Sequence, residues 1–100
     1  MQIQILSTHF EADEELLKFV TKKFRRLEKL YSRLERCNVI LKHEKNSRNK
    51  KCVVEVRLAV PGEDIFASER AETYQQAIEL LLDDLKKQVV KRKEKLLAHF

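Results

Sequence analysis

The chain has one glycine, one proline, no tryptophan and two cysteines among its 100 residues. Its sole glycine, Gly62, rules out a Gly-rich loop whose backbone amides would cradle a nucleotide phosphate. So few breakers, with 37% charged and 43% hydrophobic residues, describe a chain rich in regular elements and unlike a disordered tail. No apolar run approaches the roughly 18 residues of a membrane span. The start, Met1-Gln2-Ile3-Gln4-Ile5-Leu6, lacks the basic region and long apolar stretch of a signal peptide, so a cytoplasmic protein is expected. Cys37 and Cys52 have no CxxC spacing and fall at inward strand positions, as small core hydrophobes. A hairpin around Asn46–Asn49 would pair Cys37 near Ala59, roughly seven residues from Cys52, which at about 3.3 Å per residue is too far for a disulfide.

Catalytic constellations are also missing. His9, His43 and His99 fall on a connection, an inward strand position and the C-terminal tail, without metal-ligand spacing. Ser7, Ser32, Ser47 and Ser68 have no base-and-orienter partners in sequence context. Asp83 and Asp84 are adjacent on a helix, where neighbours diverge by about 100°, so they do not form a general acid/base pair. Neither an enzyme nor a bound metal or cofactor is expected.

What is present is patterned charge on regular elements. Gln2 to Ser7 alternates polar and apolar residues as a strand. Asp13 is a good N-cap, followed by Glu14 and Glu15 where the helix dipole favours acids. Leu16, Val20, Phe24, Leu27 and Tyr31 then recur at helical spacing to about Leu30, with Phe19, Leu30 and Leu17 widening the stripe. Lys18, Lys22, Arg25, Arg26 and Lys29 occupy the opposite arc, and Lys23 at its edge is expected to snorkel. A face kept merely soluble mixes its signs, yet Glu28 and Glu35 are the only acids between Lys18 and Arg36.

Cys37, Val39, Leu41 and His43 give a second strand, and Lys45–Lys51 a basic loop. Cys52, Val54, Val56, Leu58 and Val60 give a third, Pro61-Gly62 a turn, and Asp64–Arg70 a fourth with Ile65 and Ala67 on one face. The stretch from Glu72 to Phe100, helical from about Thr73 to Ala98, is amphipathic and carries Glu72, Glu79, Asp83 and Asp84 early and Lys86, Lys87, Lys91, Arg92, Lys93 and Lys95 late. Six bases in the last third exceed what the macrodipole needs. At 1.5 Å per residue this helix is about 39 Å long against about 25 Å for a strand. The Lys91–Lys95 segment should therefore overhang the sheet with no core to cover.

The order β-α-β-β-β-α, with one apolar face per strand and one stripe per helix, predicts an α+β fold in which two helices pack on one face of a four-stranded sheet. Strands two to four should form an antiparallel meander. Both basic clusters then lie on the same side and can merge into one positive surface. A net charge of +5 permits a polyanionic partner. Phe10, Phe19, Phe24, Tyr31, Phe66 and Tyr74 are mostly taken up by the core, leaving no base-stacking platform, so recognition would be by shape and phosphate. A membrane surface is disfavoured because neither helix exposes large apolar residues opposite its basic face.

Four ordered pieces carry a resemblance. Phe19-Val20-x-x-Lys23-Phe24-x-x-Leu27-Glu28, Val39-x-Leu41-Lys42-x-Glu44 and Ile65-x-Ala67-Ser68 precede Tyr74-x-x-Ala77-Ile78-x-x-Leu81-x-Asp83-x-Leu85-x-x-Gln88-x-x-Lys91-x-Lys93-x-Lys95. Together they are similar to the bacterial ribosome hibernation promoting factors and ribosome-associated inhibitors, over the whole chain. The resemblance implies a fold like that of double-stranded RNA-binding domains. It implies binding to the small ribosomal subunit and its ribosomal RNA, in the channel between head and body where mRNA and tRNA lie. An occupied channel blocks initiation and preserves idle ribosomes in stationary phase or stress.

The family's RNA-contacting roles carry over to Lys23, Arg26, Lys91, Lys93 and Lys95. Lys22, Arg25, Lys29, Lys86, Lys87 and Arg92 join them by chemistry. Glu72 departs from the Asp usual at the helix start, which shifts the cap toward Thr73. The sequence stops at Phe100, without the second domain of long members or the acidic tail of inhibitor-type relatives, and resembles the short factor most. One domain, monomeric off the ribosome and without a small-molecule substrate, is the expectation. A generic double-stranded RNA-binding module is the alternative.

Overall fold

The computed structural model describes residues 1–97 and follows the order β1 (Gln2–Thr8), α1 (Glu14–Arg25), a 3-10 turn (Arg26–Lys29), β2 (Arg36–His43), β3 (Cys52–Ala59), β4 (Ile65–Ala71) and α2 (Tyr74–Leu97). Ala98 and His99 lie outside the described residues. The four strands form one sheet in the order β1-β2-β3-β4. β1 pairs parallel with β2, which requires the α1 crossover, and β2-β3-β4 is the expected antiparallel meander.

Local chemistry explains the boundaries. The Asp13 carboxylate accepts from the Leu16 amide at 2.8 Å and caps α1. The helix expected to reach Leu30 tightens into the 3-10 turn after Arg25, a common way to end a helix. At the start of α2 the Thr73 hydroxyl accepts from the Gln76 amide at 3.1 Å, so Thr73 and not Glu72 is the cap. Gly62 adopts φ +90 in the β3–β4 turn, the left-handed conformation that glycine adopts without strain. Hairpin register places Cys37 opposite Leu58, one residue from the expected Ala59, and Cys52 opposite His43. The two thiols are free and far apart on the ladder.

One sheet face carries the core. Val39, Leu41, Val54, Val56 and Leu58 project from the central strands against Val20, Phe24 and Leu27 of the α1 segment and Ile78, Leu81, Leu85 and Val89 of α2, all at most 3% exposed. Both helices pack on this side, as the stripes predicted. The α1 segment and α2 run in the same direction, since Lys23 meets Glu79 and, further along both, Leu30 meets Lys93. Tyr74 fixes the first turn of α2: its hydroxyl donates to the Lys42 carbonyl at 2.8 Å and its ring stacks on Phe10 at 4.9 Å.

The opposite sheet face corrects one expectation. Phe66 is 62% exposed there, not in the core, because it alternates with inward Ile65 and Ala67. Leu6 is exposed on the same side. Three of the four bases that β2, β3 and β4 carry on this face are paired, Lys42 with Glu55 at 3.0 Å, Arg57 with Asp64 at 2.6 Å and Arg70 with Glu44 at 2.9 Å, and Arg36 has no acidic partner among the described residues. The Arg57 guanidinium also stands 5.1 Å from the Phe66 ring centre.

Two measurements check this packing. Asp13→Ala, which leaves the α1 amides uncapped, should lower stability by about 1 kcal/mol and Tm by roughly 4–8 °C, read from thermal unfolding. Burial pushes the Cys37 thiol up to about 12. At pH 8 it should therefore resist alkylation in the native protein and react at an ordinary thiol rate once urea unfolds the chain.

Candidate nucleic-acid interface

On α2 the residues Glu79, Lys86 and Lys93 are spaced by seven and fall close together at about 100° per residue, on the side toward α1. Lys87, Lys91 and Lys95 repeat every four residues and turn progressively toward the far side. On α1 and its 3-10 turn, Arg26 stands nearest α2, with Lys22 and Lys29 further out. The solvent side of the two-helix layer thus carries a basic stripe from each helix, separated by a shallow seam.

The seam itself is occupied. Lys23 Nζ lies 2.7 Å from Glu79 Oε1, and its side chain is only 18% exposed against 55% for the carboxylate. Its stem snorkels as expected, with the ammonium 5.4 Å from the Phe19 ring centre. The Lys23 hydrogen bond holds the Glu79 carboxyl below its usual range, and the positive charges of Lys23, Arg26 and Lys86 add to the effect. Arg26 of one basic cluster and Lys86 of the other are therefore both within electrostatic reach of the same carboxylate.

The eleven basic residues predicted from sequence divide into two groups. Lys22, Arg26, Lys29, Lys86, Lys87, Lys91 and Lys95 are exposed and have no ion pair or hydrogen bond among the described residues. The other four, Lys23, Arg25, Arg92 and Lys93, are engaged within the molecule. Arg25 donates to the Met1 carbonyl and the Glu28 carboxylate, both at 2.6 Å, and this contact lowers the Glu28 pKa. Arg92 donates to the Pro61 and Glu63 carbonyls. Lys93 donates to the Leu30 carbonyl at 3.3 Å.

These contacts correct the expectation of a free overhang. Val89 is fully buried, Arg92 is half-buried and Leu96 packs against the core, so α2 is tethered through its last turns. The β3–β4 turn rises to meet Arg92, and the end of the α1 segment meets Lys93. The absence of exposed apolar residues on the helices also needs correction, since Leu80 is 52%, Val90 38% and Leu17 37% exposed. Val90 lies beside Lys86, Lys87 and Lys91, inside the basic stripe.

Glu79 is the seam residue that local pattern alone does not single out from the other acids of α2. Its signal was available as the one acid seven residues before Lys86 on the α1-facing side, but the seam partner Lys23 lies 56 positions away. Among the described residues no group of three or more His, Cys, Asp or Glu is placed to hold a metal ion. No helix among them is long and apolar enough to cross a membrane.

The molecule is a sheet covered on one face by two parallel helices whose outer sides carry exposed bases. A family model described as "Sigma 54 modulation protein / S30EA ribosomal protein" matches residues 3–97. The ribosome hibernation promoting factor of Escherichia coli K12 is 36% identical over 99 residues, covering 99% of this chain and 100% of that protein. Its counterpart from Pseudomonas putida KT2440 is 34% identical over 95 residues, covering 95% and 89%. The chain belongs to this S30EA family, that of the ribosome hibernation promoting factors.

Solved structures agree on the fold. A ribosomal subunit interface protein from Coxiella burnetii superposes with a TM-score of 0.83 at 22% identity, covering 94% of this chain and 99% of that one. The N-terminal domain of Thermus thermophilus Protein Y gives 0.76 at 24% identity, covering 91% and 98%.

The division of bases is open to measurement. Arg92→Ala should cost about 1–2 kcal/mol in urea unfolding, having removed donors from two backbone carbonyls. Lys87→Ala and Lys91→Ala should each stay within about 0.5 kcal/mol of the parent.

Proposed function

We propose that this protein is a non-enzymatic translation inhibitor that binds the small ribosomal subunit through the two-helix face. The observation that carries the reading is the group of seven exposed bases on the two-helix layer that have no ion pair or hydrogen bond among the described residues. Such a surface neutralises several phosphates of a folded RNA at once, and releasing their counterions supplies most of the binding free energy. No base-reading site is needed, because recognition rests on the spacing of phosphates along a shaped RNA surface. The outer face of the sheet, with most of its bases paired, is left pointing away from the RNA.

Kinship with the ribosome hibernation promoting factors supports the ribosome as the target. We place the protein in the channel between head and body of the small subunit, where mRNA and tRNA anticodon ends lie. Occupation there blocks initiation by exclusion, and the idle ribosome is held through stationary phase or stress. On this reading the protein works in the cytoplasm as one domain, monomeric off the ribosome, without cofactor or small-molecule substrate.

Sucrose-gradient sedimentation with purified small subunits at low salt tests the reading. The protein should travel with the subunits and inhibit translation of a reporter in a reconstituted system; a protein that stays at the top of the gradient removes the proposal. The double charge reversal Arg26→Glu with Lys91→Glu should weaken binding at least about tenfold and reduce the salt slope by roughly 0.7–0.9 for each lost phosphate contact. Equal affinity for a plain RNA duplex would instead mark a generic double-stranded RNA-binding module.

A further inference from the structure

We infer that Glu79 is a built-in phosphate mimic: its carboxylate occupies the Lys23 ammonium in the free protein and yields that cation to an RNA phosphate on binding. The inference rests on the RNA-binding reading above and deepens it. Lys23 is largely enclosed, 18% exposed, and the more exposed Glu79 carboxylate stands 2.7 Å from its ammonium. With so little of Lys23 exposed, a phosphate oxygen that approaches its ammonium from the solvent side competes with the carboxylate for that position. Arg26 and Lys86 are exposed bases within electrostatic reach of the Glu79 carboxyl, and both favour its charged form. A phosphate drawn in by these two brings a second negative charge beside Glu79, and like charges at such range repel.

Glu79 is free to leave. Its side chain is 55% exposed, so the carboxylate can rotate into water at little cost. Lys23 cannot follow, because its stem is packed and its ammonium lies 5.4 Å from the Phe19 ring centre. In the unbound protein the pair leaves no uncompensated charge in the seam. In the complex Lys23 gains a phosphate, and the exchange raises the number of phosphates bound by one relative to what the exposed bases provide. The acid thus opposes every polyanion by one displacement, and only RNA that engages Arg26 and Lys86 together drives it.

The test is a salt titration of binding to purified small ribosomal subunits, comparing the parent with Glu79→Gln, Glu79→Asp and Glu63→Gln. The Glu63 variant removes the same charge from the β3–β4 turn. Glu79→Gln should bind roughly three- to tenfold tighter at low salt, about the value of one charge-assisted contact. Its salt slope should equal that of the parent, because both forms deliver Lys23 to a phosphate. Glu79→Asp should stay near the parent, and Glu63→Gln should gain less than about twofold. In a Lys23→Gln background the gain from Glu79→Gln should shrink to the Glu63→Gln level, and the slope should fall by roughly 0.7–0.9.

A brace that merely joins the helices predicts the reverse, weaker binding by Glu79→Gln, and that result overturns the inference while leaving subunit binding by the parent intact. A gain that persists undiminished without Lys23 also overturns it. Failure of the parent itself to bind subunits removes the functional reading and this inference together.

Discussion

Both helices must cover the same face of one sheet, and the rest of the molecule follows from that constraint. Phe24 and Leu27 on one side and Leu81 and Leu85 on the other bury against Val39, Leu41, Val54 and Leu58, leaving these side chains almost no contact with water. Burying a side chain of this kind contributes about 1.5–3 kcal/mol, so the stripes are not free to rotate about the helix axes. Once the stripes are fixed, the polar backs of the helices are fixed too. They can only form a common outer layer, with a seam between them.

Charge is distributed to suit that layer. On the outer face of the sheet each of Lys42, Arg57 and Arg70 has an acidic partner, and the face is close to neutral. On the helix layer seven bases lack any partner among the described residues, while Lys18, Lys23 and Arg25 are matched by Glu14, Glu79 and Glu28. Exposed ion pairs add little stability, so neutralising one face and not the other has small consequences for folding. Its consequences for association are large, because an unneutralised surface attracts a polyanion and releases its counterions. The molecule is thus one-sided in its electrostatics in the same way that it is one-sided in its core.

The tethering of α2 gives the basic layer its rigidity. Arg92 and Lys93 would be unremarkable members of a basic run if the helix simply overhung the sheet. Instead they donate to carbonyls of the β3–β4 turn and of Leu30, on opposite flanks of the helix. Carbonyls at a turn and at the end of a 3-10 segment lack intrahelical or ladder partners, which makes them ready acceptors. Two of the six bases of α2 are used to hold the other four in place. Fixed positions matter for a surface that reads the spacing of phosphates and not the identity of bases.

The order of elements, the direction of the meander, the Asp13 and Thr73 caps and nearly every core side chain were legible in the sequence, because each depends on periods of two or 3.6 residues and on local backbone chemistry. The family was legible as well, through motifs spread along the chain. The role of each base was not. Lys91 and Arg92 are neighbours with the same charge, yet one faces solvent and the other binds a turn 31 residues earlier. Phe66 read as a core aromatic and stands in water, since strand parity decides its side of the sheet. By itself the sequence determined which faces are apolar and where positive charge accumulates. Only the tertiary structure decided which cations are spent on the protein's own carbonyls and carboxylates, because those partners lie dozens of residues away and meet only when both helices close on the sheet.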